Sequence, residues 1–90
     1  VIRDLAFVVD QTHSLQSILE GLKAHANPLI TDISLFDVYS GKGVPEGKKS
    51  LAFRIVMQDT SRTLQEAEVK ESYQKLVDFI EQKLGALLRT

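Results

Sequence analysis

The stretch FDVYSGKGVPEGKKSLAFR, residues Phe36 to Arg54, decides how this chain is read. It reads as two β-strands joined by a loop, Ser40 to Gly47, that holds three glycines and a proline. Glycine and proline are turn formers, and the loop is too long for a two-residue hairpin turn. Side chains of a strand alternate between its two faces, so the stretch can be sorted by parity. Asp37, Tyr39, Ser50, Ala52 and Arg54 fall on one face. Phe36, Val38, Leu51, Phe53 and Ile55 fall on the other. The apolar set is expected to be buried. The mixed set is expected to meet something polar, planar and anionic.

The pattern extends in both directions from the hairpin. Leu29 to Tyr39 reads as the whole of its first strand and Lys48 to Gln58 as the whole of its second. Upstream, Asp4 to Asp10 alternates, with Leu5, Phe7 and Val9 on one side and Ala6 and Val8 on the other. Ser14 is placed to cap a helix that runs to about Ala26, with a stripe of Leu15, Ile18, Leu19, Leu22 and Ala26. Gly21 interrupts that helix at a cost of about 1 kcal/mol relative to alanine. Asn27-Pro28 ends it, because proline disfavours the α conformation in the residue before it. Downstream, Asp59 to Arg62 is polar. Thr63-Leu64-Gln65-Glu66 has the form of a capping box. It predicts a long helix with Val69, Tyr73, Leu76, Val77, Ile80 and Leu84 on one side. Gly85 stands where a C′ glycine stops a helix. Ala86 to Arg89 leaves room for one short strand.

The element order is therefore β-α-β-β-α-β. Each helix has one apolar stripe, so both should pack on one face of a four-stranded antiparallel sheet. That is an α+β, ferredoxin-like split βαβ sandwich. Right-handed crossovers give the strand order 4-1-3-2. The uncovered face would carry Ala6, Val8, Asp37, Tyr39, Ser50, Ala52, Arg54 and Arg89.

Ninety residues suit a single domain, 1–90. The start, Val1-Ile2-Arg3-Asp4, has neither methionine nor a signal-peptide pattern, and the chain is read as a piece of a longer one. There is no cysteine, which excludes disulfides, thiolate zinc sites and cysteine nucleophiles and fits a cytoplasmic protein. A net charge of −1 argues against binding nucleic acid by bulk electrostatics. The charge is uneven, however. Lys42, Lys48, Lys49 and Arg54 face only Glu46 between Ser40 and Gln58, enough to meet a few phosphates.

No catalytic or metal-binding constellation is present. His13 precedes the helix cap and His25 lies near the helix end, where a cation suits the dipole; neither has a partner at ligand or triad spacing. Glu66, Glu68 and Glu71 read as a solvated helix face. Gly41-x-Gly43-x-x-x-Gly47-Lys48 lacks Walker spacing and joins two strands instead of opening a helix. The aromatic octapeptide of RNA-recognition-motif proteins is also missing. Lys49 to Arg54 supplies only Phe53, and on the buried parity.

Two readings of Tyr39 stand. It is a strand tyrosine that packs its ring edge and keeps its hydroxyl wet, or a platform on which an unpaired base stacks. Asp37 either pairs with Lys48, Lys49 or Arg54, or accepts from a base amino or imino group. Ser50 is a plain exposed strand residue or a small donor and acceptor beside that base. Ala6 leaves room for something flat to approach.

These residues carry a family resemblance along essentially the whole chain. It rests on Arg3-Asp4-Leu5-Ala6, on Phe36-Asp37-Val38-Tyr39-x-Gly41, on Pro45 to Arg54, and on Arg62-Thr63-Leu64. The chain resembles the ferredoxin-fold anticodon-binding domain that ends the β subunit of bacterial phenylalanyl-tRNA synthetases. A similar domain ends the single-chain mitochondrial enzymes, but the hairpin is closer to the bacterial form. The resemblance implies contact with the anticodon stem-loop of the phenylalanine tRNA, with the first anticodon base stacked on Tyr39. It places Asp37 and Ser50 in the same site, Ala6 at its border and Arg89 approaching it. It also implies an α₂β₂ ligase whose α subunit performs the ATP- and Mg²⁺-dependent chemistry, none of it in these residues. The expected function is anticodon recognition, with Lys42, Lys48, Lys49 and Arg54 meeting the RNA backbone. The competing expectation is a regulatory or dimerisation module without RNA binding, whose open face would be apolar and self-complementary. An acylphosphatase-type enzyme on this fold would need an arginine in the loop Asp10 to Ser14, and there is none.

Overall fold

A computed structural model describes residues 1–58 and 63–89. It contains β1 (Ile2–Asp10), α1 (Leu15–His25), β2 (Ile30–Tyr39), β3 (Lys48–Met57), α2 (Glu66–Lys83) and β4 (Leu87–Leu88). The sheet order is β2-β3-β1-β4, every pairing is antiparallel, and the expected α+β ferredoxin-like sandwich is what forms. The polar segment Asp59 to Arg62, with the Arg62 of the family pattern, lies outside the described residues.

One face of the sheet is buried under both helices. Leu5, Phe7 and Val9 of β1 and Leu51, Phe53, Ile55 and Met57 of β3 join Ile18 and Leu22 of α1 and Val69, Leu76, Val77 and Ile80 of α2 in one core. Phe7 and Phe53 stack across the two central strands, ring centroids 5.8 Å apart. Neither of the described helices covers the opposite face.

The helix ends follow local chemistry. Ser14 caps α1, its Oγ accepting from the amide of Ser17 at 3.1 Å. The capping box of α2 sits two residues later than its sequence suggests. Gln65, not Thr63, is the N-cap, and the Glu68 carboxylate accepts from the Gln65 amide at 3.2 Å. Glu68 thus belongs to the cap, while Glu66 pairs with Lys70 on the solvated side. Gly85, at φ +63°, turns the chain out of α2, and the Ala86 amide then reaches the Ile80 carbonyl at 2.9 Å.

Gly21 has a packing role that composition did not reveal. A Cβ built there would lie 2.1 Å from the ring tip of Phe79, so glycine lets α2 approach α1. His25 completes this contact. Its ring stacks on Phe79 at 4.5 Å, and its Nδ1 lies 2.9 Å from the Gly21 carbonyl oxygen. Overpacking costs about 1–3 kcal/mol, against the ~1 kcal/mol that alanine returns in a helix. Gly21→Ala is therefore expected to be net destabilising in urea unfolding. In a Phe79→Leu background, where the ring is gone, the same change is expected to be neutral or stabilising.

Candidate nucleic-acid interface

The strand registers lay the open face out as rows. Asp4 of β1, Arg54 of β3 and Ser34 of β2 stand side by side. The next row is Ala6, Ala52 and Asp37, and the one after it Val8, Ser50 and Tyr39. At the β1 edge the Arg89 amide donates to the Ala6 carbonyl at 2.8 Å, and the Arg89 guanidinium reaches the Ser50 hydroxyl at 2.9 Å. Ala6, Asp37, Tyr39, Ser50 and Arg89, five residues drawn from all four strands or their ends, thus share one patch. Its middle row has alanines at both central-strand positions, Ala6 and Ala52, so β1 and β3 raise nothing bulky there.

Tyr39 is held in place. Its hydroxyl donates to the carbonyl of Lys42 at 2.6 Å, inside the hairpin loop, while the residue stays 46% exposed. The wet hydroxyl expected of a simple strand tyrosine is instead tied to the loop, and the ring is left presented to solvent. Ser50 is not a plain exposed residue either; it is only 8% exposed and lies beneath Arg89. Asp37 is exposed at the β2 edge. Arg54 pairs with Asp4, Nε to Oδ1 at 3.2 Å, and not with Asp37.

The β2–β3 register is interrupted at two points, between Ile30 and Asp32 and, beside the patch, between Leu35 and Asp37. At the second, Phe36 and Asp37 together stand opposite Ala52. A bulge of this kind turns the following side chains over. Counted from Ile33 and Leu35, which face the core, an unbroken strand would have aimed Asp37 at the helices. The bulge keeps the carboxylate in water, where its desolvation costs nothing. The expectation that Phe36 faces the helices is overturned. It is 51% exposed on the open face, with the Arg54 guanidinium 4.9 Å above its ring. Val38 does share the parity of Leu51, yet on the edge strand β2 it too is 51% exposed.

The basic residues divide. Lys42 is exposed in the loop. Lys48 lies 3.9 Å from Asp10, both half exposed, a pair worth at most about 1 kcal/mol. The amide and hydroxyl of Thr12 hold the Asp10 carboxyl below its ordinary pKa, with a smaller contribution from Lys48. Lys49 has the parity of the buried face, and its ammonium donates to the His13 carbonyl at 2.5 Å. It points away from the Tyr39 patch. The Phe36–Arg54–Asp4 contact is the feature that parity missed; the signal lay in Ile33 and Leu35, whose inward phase conflicts with that of Val38.

Among the described residues no group of three or more His, Cys, Asp or Glu side chains could hold a metal. None of the described helices is long and apolar enough to cross a membrane.

A family model for the ferredoxin-fold anticodon-binding domain matches residues 1–89. The chain belongs to this family. A phenylalanine–tRNA ligase β subunit from Dechloromonas aromatica is 66% identical over 99% of the chain. Those of Chromobacterium violaceum and Oceanobacillus iheyensis are 48% and 38% identical over 97% and 100% of it. The chain spans about 11% of the length of these relatives. An anticodon-binding domain needs an accessible surface that offers a base both a flat partner and hydrogen bonds, and the open face has both.

Proposed function

We propose that this chain is the anticodon-recognition domain of a phenylalanine–tRNA ligase β subunit, a single domain of a longer protein. The observation that carries the reading is the clustering of Ala6, Asp37, Tyr39, Ser50 and Arg89 on the sheet face that the described helices leave open. An unpaired base, the first of the anticodon, lies on the Tyr39 ring. The tether to the Lys42 carbonyl pre-sets that ring, so little side-chain freedom is lost on binding. The Asp37 carboxylate accepts from the amino and imino groups of a guanine Watson–Crick edge. Ser50 and Arg89 add donors at the other side of the base, and Ala6 keeps that side flat. Lys42 and Lys48 at the hairpin tip, with Arg54, meet phosphates. Lys49, engaged on the opposite face, is left out of this set.

In this reading the domain positions the tRNA and does no bond chemistry. Amino-acid activation with ATP and Mg²⁺ belongs to the α subunit of an α₂β₂ assembly in the cytoplasm, and no residue of the open face is assigned to it. With so few cations the isolated chain binds weakly, and base contacts supply the specificity. A dimerisation sheet would want an apolar, self-complementary face; Asp37, Arg54 and Asp4 across this one disfavour it. Chemical-shift mapping with the phenylalanine anticodon stem-loop, against a loop of altered anticodon, tests the reading.

A further inference from the structure

We infer that Phe36, Arg54 and Asp4 form a second nucleotide subsite beside the Tyr39 patch, one that takes a neighbouring unpaired base and its phosphate. The inference rests on the anticodon-binding reading and extends it to residues that reading does not use as a base platform.

Three observations converge. Phe36 is a large apolar side chain left 51% exposed on the face that binds the base, next to Asp37. The Arg54 guanidinium lies 4.9 Å over its ring, and Arg54 is in turn held by the Asp4 carboxylate at 3.2 Å. The contact spans three adjacent strands, β2, β3 and β1, so its parts are fixed by sheet register and not by a loop. Among the described residues the Arg54 Nη groups make no hydrogen bond; only Nε does. A guanidinium held over an aromatic ring, with terminal N–H groups open, suits a nucleotide. The base stacks on the aromatic or guanidinium plane, and a phosphate oxygen accepts from Nη.

The spacing fits a strand of RNA laid along the sheet. Phe36 is three residues from Tyr39, roughly 10 Å along an extended strand. Ala52 and Ala6 floor the interval without a side chain that would lift the RNA away. Asp4 holds Arg54 over the ring and partly offsets its charge, so the subsite favours one nucleotide and not a multiply charged anion.

The test uses the parent ligase with both its subunits and tRNA transcripts that are abasic at single anticodon-loop positions. Phe36→Leu keeps bulk but loses the aromatic plane. It is expected to raise the KM for tRNA roughly tenfold, with ATP–pyrophosphate exchange unchanged and Phe36→Tyr restoring the KM. Arg54→Lys, which keeps charge and loses planarity, is expected to move the KM the same way. The Phe36→Leu effect should vanish with one abasic transcript, at a position other than the first anticodon base. If Phe36→Leu leaves the KM within twofold while Tyr39→Ala raises it, the subsite is wrong and the anticodon reading stands. An effect that persists with every abasic transcript would mean a structural role and would also overturn it. If neither variant changes the KM, the anticodon reading itself fails, and the subsite with it.

Discussion

Tyr39→Ala is expected to raise the KM of the parent ligase for its tRNA about 5- to 150-fold, the range set by ~1–3 kcal/mol per base–aromatic stack. The ring is already positioned, because its hydroxyl is bonded to the Lys42 carbonyl. Removing it loses the stacking surface and also frees the loop that the hydroxyl ties down. The effect must be confined to tRNA. Amino-acid activation, followed by ATP–pyrophosphate exchange, should not change, since nothing on this face is assigned to it. Stability should change little, because the ring is half exposed. Tyr39→Phe separates the two contributions. It keeps the plane and loses the tether, so it should raise the KM by less than alanine does. Equal effects of the two variants would make the tether, and not stacking, the important feature.

Phe53→Ala is expected to have the largest effect on stability. Phe53 is fully buried, stacks on Phe7, and stands on a central strand beneath both helices. Truncating such a phenylalanine costs about 3–5 kcal/mol. A domain of this size has about 5–13 kcal/mol in total, from 0.05–0.15 kcal/mol per residue. The melting temperature should fall by at least about 12 °C, at 4–8 °C per kcal/mol for a small domain. Calorimetry on the chain measures this. Phe53 lies on the opposite face of β3 from Ser50, so any loss of RNA binding should track unfolding and be recovered on cooling. A shift of less than a few degrees would mean that the core is not organised around the Phe7–Phe53 pair.

Much of this was legible in the sequence, for definite physical reasons. Alternation in Asp4 to Asp10, the stripe of α1, and the glycines at 41, 43, 47 and 85 are local signals, and each specifies its element without help from the rest of the chain. Two single-striped helices and four strands then leave one sheet face open. The topology alone therefore puts Ala6, Asp37, Tyr39, Ser50 and Arg89 together on that face. What alternation could not carry was the bulge. A parity count backwards from Tyr39 puts Phe36 inside; a count forwards from Ile33 puts it outside. Only the partner strand decides where the extra residue sits. Contacts between distant elements were equally invisible. Nothing near Gly21 announces Phe79, and nothing near Asn27 announces that its amide donates to the buried Ser72 hydroxyl at 2.6 Å. The α2 cap moved because two overlapping segments, Thr63 to Glu66 and Gln65 to Glu68, can each close a box. The tether of Tyr39 depends on the path of a glycine-rich loop, which local sequence leaves open.

The proposed role of the open face is to read an anticodon base. Chemical-shift mapping of the labelled chain with the phenylalanine anticodon stem-loop tests it most directly. Perturbations are expected to centre on Ala6, Asp37, Tyr39, Ser50 and Arg89 and to weaken sharply when the first anticodon base is changed. Shifts scattered over the lysines and indifferent to the anticodon, or centred on the helices, would contradict it.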